Sequence, residues 1–308
     1  MSSPAAAPHR ASKARLVLAF AALYTIWGST YLAIKFAVET IPPYLMSAAR
    51  FIVAGLILFT WSRWRGSPAP SRREWRDGAI VGMLLLAGGN GAVGWAEQRV
   101  PSGITALLVA SVPMWAVIID WARPHGRRPS FIVSVGLLIG LVGVAVLAAP
   151  EFGGATPGAG LGAAVLIMGS ISWAAGSIYS RQSARPSSAL MSTALQMIGG
   201  SAGLLAVAMV LGEPSRLDIA AITLKSFLGW AYLVTCGGLI GFTAYAYVLR
   251  ETTPAKATTY AYVNPVVAVL LGWAFANEPI SIRTIAAAGI ILAGVAMISL
   301  AGSAGERS

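Results

Sequence analysis

The chain has 308 residues, 56% of them hydrophobic and 11% charged, and a net charge of +11. A water-soluble domain carries about 25% charged residues, so this composition excludes an ordinary soluble fold and calls for lipid as the solvent of the apolar surface. The basic residues sit in short loops between apolar runs, which reads as topology signalling and not as nucleic-acid binding. The lone Cys236 rules out an internal disulfide, and the two histidines, His9 and His125, fall outside the apolar runs.

A helix crossing roughly 30 Å of hydrocarbon needs about 20 apolar residues. The first such run, 16–38, follows Arg10, Lys13 and Arg15. It is longer than the apolar core of a secretory signal and has no small-residue cleavage site after it, so it reads as a retained span. Pro42-Pro43 divides it from the second, 43–63, and a third follows at 78–98. The fourth, 101–122, opens on Pro101, as helices often do. A fifth at 130–149 leads into a linker, 150–159, and then come 160–180, 188–211, 226–249, 254–276 (opening on Pro254) and 281–301. The expected fold is an all-α integral membrane protein of ten transmembrane helices with short tails, 1–15 and 302–308. With the N-terminus in the cytoplasm, sixteen Lys and Arg lie inside, four outside, and Lys35 and Arg50 within spans. That bias predicts an inner-membrane protein with both termini cytoplasmic and 150–159 periplasmic.

The fourth and ninth spans each open on proline, carry a second proline (Pro113, Pro265) and end in Trp-Ala at Trp121 and Trp273. At a shift of 151, Ser130 matches Ser281, and Gly143-Val144-Ala145 matches Gly294-Val295-Ala296. The first and sixth spans share a midspan tryptophan beside small residues, Trp27 and Trp173. These matches, in one order, predict two five-helix repeats, 16–149 and 160–301. An odd number of spans inverts the second copy in the membrane, a plan that recurs in secondary transporters with the substrate near the midplane.

Midspan polar groups find no partner in lipid, so they mark a cavity or a helix contact. Trp27, Asn90, Trp173, Tyr260, Tyr262 and Asn264 are such residues, and Tyr260 lies one turn before Asn264 on the same face. The expected substrate-binding set is Trp27, Tyr31, Asn90, Trp173, Tyr260 and Asn264, with Pro113 and Pro265 as hinges. Arg50 is open to two readings: a clamp for a substrate carboxylate, or a structural tie to backbone carbonyls or a helix end. Lys35 is expected to snorkel to the interface. Glu97 and Asp120, in the last turns of their spans, are expected at the interface too, and none of the eleven acids sits at midspan. Proton coupling through a buried acid is therefore not expected.

The segments WGSTYLAIKFAVETIPP, SAARFIVAG, PSGITALLVASVP, SISWAAGSIYS and ATTYAYVNPVVAVLLGWAFANEPIS resemble, in order and spacing, the EamA-type branch of the drug/metabolite transporter superfamily. The resemblance spans nearly the whole chain. It implies ten helices in two inverted halves and bacterial relatives that export amino acids or related metabolites. The family often places an acid just after each proline-bearing helix. Glu278 keeps it in the second half, whereas Arg127 stands at the corresponding place in the first.

The expected function is secondary export of amino acids or similar amphipathic metabolites by alternating access. The alternatives are a broad-specificity drug or metabolite efflux protein and a passive small-molecule channel. An intramembrane enzyme would need paired aspartates, a Ser-His pair or a metal site, and no intramembrane histidine or midspan aspartate exists to build one. No nucleotide loop of the G-x-x-x-x-G-K-[ST] type is present. No catalytic residue, cofactor or metal is expected. The partners are a small-molecule substrate and lipid, and no nucleic acid, with monomer and homodimer both open.

Overall fold

The computed structural model describes residues 13–124, 128–152, 158–251 and 260–305. Arg127, Pro254, half of the linker 150–159 and the outer parts of both tails lie outside the described residues, as does the Tyr262 side chain. Every element among the described residues is helical. In chain order these are α1 (Lys13–Ala37), α2 (Pro43–Trp64), α3 (Arg72–Ala96), α4 (Ser102–Ala122), α5 (Phe131–Phe152), α6 (Ala159–Gln182), α7 (Ala189–Val210), α8 (224–251), α9 (Tyr260–Ala276) and α10 (Ile282–Gly305). Helices α1 to α8 are long and apolar enough to cross a bilayer, while the apolar stretches of α9 and α10 are shorter, Val263–Ala276 and Ile282–Ile298. Large apolar side chains such as Leu138, Met168, Met209 and Phe275 are exposed on the outside of the bundle, as they are where lipid is the solvent. The chain is a multi-pass membrane protein.

Local chemistry fixes several ends. Ser71 and Glu74 form a reciprocal capping box, so α3 starts at Arg72, six residues before the expected 78. Pro43 occupies the first turn of α2, and Thr223 caps α8 by accepting from the Ser226 amide at 3.2 Å. The paired prolines behave differently. In α4 the helix breaks between Val109 and Val112, with Pro113 in the first turn of the second piece. Pro265 instead lies inside an unbroken α9.

Helices α3 and α8 each carry a π-helical stretch, Met83–Asn90 and Leu233–Gly241. A π turn widens the ladder and turns a carbonyl out of it. In both helices a neighbour takes such a carbonyl: Ser172 Oγ of α6 donates to Leu84 O at 2.8 Å, and Trp27 Nε1 of α1 donates to Gly237 O at 3.4 Å. Composition carries no sign of these stretches.

Helix pairing follows a pattern. α1 packs against α8 and α9, α6 packs against α3 and α4, α2 lies on α7 and α5 lies on α10. Small residues let these pairs approach backbone to backbone: a methyl built on Gly294 of α10 would fall 2.6 Å from Gly136 O of α5.

Candidate substrate site

On one side of the bundle centre, four rings from three helices form a box. Trp27 of α1 lies 5.2 Å from Phe242 and 5.2 Å from Tyr245 of α8, and 4.9 Å edge-on from Tyr260 of α9. Tyr245 and Tyr260 close it at 5.8 Å. Gly241 makes room, since a methyl there would fall 2.8 Å from Trp27 Cδ1. Asn264, one turn beyond Tyr260, is 8% exposed, and its Oδ1 is buried with no hydrogen-bond partner among the described residues. Tyr31 follows Trp27 by one turn of α1 and packs against the buried core.

The other candidates belong to a second cluster. Asn90 ends the π stretch of α3 and accepts from Arg50 Nη2 of α2 at 2.8 Å. Arg50 is 4% exposed and its Nε has no partner among the described residues. Its tie is to a side-chain amide, where the structural reading names backbone carbonyls or a helix end. Trp173 of α6 packs on Gly89, where a methyl would come 2.6 Å from Cε3. The expected set thus divides, with Trp27, Tyr260 and Asn264 on the α1–α8–α9 side and Asn90, Arg50 and Trp173 on the α2–α3–α6 side. Among the described residues Trp173 makes no ring contact with Trp27.

Three features were missed. Phe242 and Tyr245 complete the box, and their three-residue spacing on one helical face is the signal that would have found them. Lys35 does not snorkel freely: it pairs with Glu278, in the turn after α9. That carboxylate also accepts from the Ser102 amide at 2.8 Å, Ser102 Oγ at 3.0 Å and the Gly103 amide at 3.2 Å, capping α4. Burial pushes the Glu278 carboxyl up, but Lys35 and the two amides outweigh it and hold it below the usual carboxylate range. Glu97, expected at the interface, is instead 4% exposed, because the ends of α1 and α2 close over the last turn of α3. Asp120 is half-exposed and pairs with Arg123.

Two cavities lie elsewhere. One, of about 350 Å³, opens among the loops beside Glu39, Trp95, Arg99 and Glu213, and the other, about 360 Å³ and apolar, faces outward between Trp115, Leu141 and Ile167. Neither includes a candidate residue. In the aromatic box the four rings pack on one another.

The EamA-like transporter family model matches residues 14–149 and again 160–300. The chain is 41% identical over 280 residues to the uncharacterized inner membrane transporter YedA of Escherichia coli (strain K12), covering 91% of this chain and 89% of that protein. It is 24% identical over 289 residues to the uncharacterized transporter YvbV of Bacillus subtilis (strain 168), covering 93% and 92%. A solved crystal structure shares the fold with a TM-score of 0.61 at 19% identity, over 94% of this chain and 98% of the other. With two stretches that together take in most of its length, the chain belongs to the EamA-like transporter family.

Proposed function

We propose that this protein is a secondary transporter that exports amino acids or related small amphipathic metabolites by alternating access. It does so as ten helices in two inverted five-helix repeats of the inner membrane, with both termini cytoplasmic. The observation that carries the reading is the helix pairing. Exchanging each helix with the one five places away turns α1 on α8 and α9 into α6 on α3 and α4, and returns α2 on α7 and α5 on α10 to themselves. The π stretches, 150 residues apart at their starts, and the two tryptophans on glycine, Trp27 on Gly241 and Trp173 on Gly89, exchange in the same way. A pseudo-two-fold axis of this kind provides two alternative packings of similar energy, which alternating access requires.

The two clusters are then matching half-sites. Trp27, Tyr31, Tyr260 and Asn264 receive an apolar or aromatic group, and the Asn264 Oδ1 supplies an acceptor. Asn90, Trp173 and Arg50 lie across the axis, where Arg50 is available to a substrate carboxylate once it leaves Asn90. Pro113 and Pro265 act as hinges. Uptake of labelled amino acids into inside-out vesicles tests this. Accumulation above the external concentration, lost in the Trp27→Ala and Asn264→Ala proteins, is the expected result. Equilibration without accumulation would make it a channel, and accumulation of unrelated cationic dyes in place of amino acids would make it a broad-specificity efflux protein.

A further inference from the structure

Glu97 ends α3 beside the tips of α1 and α2, and it carries the one carboxyl, among the described residues, whose two oxygens are both buried without a hydrogen-bond partner. Four titratable or charged groups act on it electrostatically: Tyr31 and Lys35 of α1, Arg50 of α2, and Glu278 of the turn after α9. None satisfies it. Lys35 is engaged by Glu278, whose oxygens are already filled by Ser102 and Gly103. Arg50 gives Nη2 to Asn90 and keeps a buried, unpartnered Nε. Two opposite orphans, the Arg50 Nε donor and the Glu97 acceptors, thus sit in one sealed region without pairing. An anionic carboxylate in such a place costs several kcal/mol more than the neutral acid, because nothing replaces the water it gave up.

We propose that Glu97 is a proton-binding site, neutral while it is sealed as seen here, and that it gives up its proton when Arg50 turns from Asn90 to its carboxylate. In that step the Glu97 O–H bond breaks, the proton passes to water at the face to which the site has opened, and the anion left behind accepts from Arg50 Nε. Proton loss and the release of Asn90 by Arg50 are then one event, which ties the proton to the α2–α3 half-site. The coupling to transport rests on the secondary-transporter reading, whereas the protonation itself does not.

The test uses the full-length protein in lipid vesicles and infrared spectroscopy, with the proton as the only ligand. At neutral pH the wild type shows the carbonyl band of a protonated carboxylic acid. Glu97→Gln loses that band, and Glu97→Asp keeps one at a shifted frequency. Because an amide replaces a neutral acid of the same shape, Glu97→Gln melts no lower than wild type at neutral pH. Absence of the band from wild type, its survival at full strength in Glu97→Gln, or a marked fall in the melting temperature of that variant each overturns the site. An imposed proton gradient should then change uptake of labelled amino acids severalfold in wild type and leave Glu97→Gln unmoved, and an equal response in both overturns the coupling. If neither protein moves any amino acid, the substrate reading fails while the infrared result still decides the proton site.

Discussion

Replacing Glu278 by glutamine removes the negative charge that joins α1, α4 and the turn after α9. In the wild type one carboxylate serves Lys35, two amides and a hydroxyl. A glutamine offers one acceptor oxygen in place of two, so about two charge-assisted bonds are lost and the 27%-exposed Lys35 side chain turns to water. At 1.5–3 kcal/mol for each such bond, discounted for the partial exposure of Lys35, we expect a loss of about 2–4 kcal/mol. Lys35→Met alone, which leaves the cap on α4 intact, should cost about 1 kcal/mol. The folded carboxyl titrates below its ordinary value of 4.5, so its contribution is complete above that value and disappears as the pH falls through the lower, folded one. Thermal melts of the purified proteins should therefore show a gap between wild type and Glu278→Gln that is constant near neutrality and closes in acid. A gap of the same size in strong acid, or none at neutral pH, would refute the assignment of this carboxylate as an ionised clamp.

Gly241→Ala and Gly89→Ala each push a methyl into a tryptophan, and overpacking of this kind costs about 1–3 kcal/mol. Melting temperatures should fall for both, and equal defects in transport would support matched half-sites. Gly82→Ala brings a methyl 2.7 Å from the Gly200 amide of α7, and we expect lower yield of folded protein by size exclusion, with no selectivity change in what remains. Arg50→Ala strands the Asn90 carbonyl, at a cost of about 1–3 kcal/mol. The falsifying result is a fully stable variant with unchanged export. Reporter fusions at Arg15 and after Ser303 should report the same compartment, with 150–159 in the other, and disagreement between the two ends would undo the inverted-repeat reading.

Hydropathy and the proline pattern exposed most of the helix order, because a span must be apolar over its whole length whatever it packs against. Trp27 and Tyr260 were legible as residues that must meet protein for a related reason: polar-tipped rings at midspan find no partner in lipid. Glu97 was not legible. Its place in the last turn of a span fits a residue at the lipid interface, and only the closure of α1 and α2 over that turn buries it. The Lys35–Glu278 link joins residues 243 positions apart, a distance no local pattern reports. Phe242 and Tyr245 share one face of α8 by their spacing, but that spacing does not say which neighbour the face meets, and only the fold brings it to Trp27.

Two acids contributed by the chain after residue 158 hold helices that come before residue 150. Glu278 closes the start of α4, and Glu213 takes the amides of Tyr44 and Leu45 at the start of α2. Separated at the linker, the leading portion would be left with bare starts at α2 and α4. A split gene should therefore yield folded protein only when both pieces are made in the same cell.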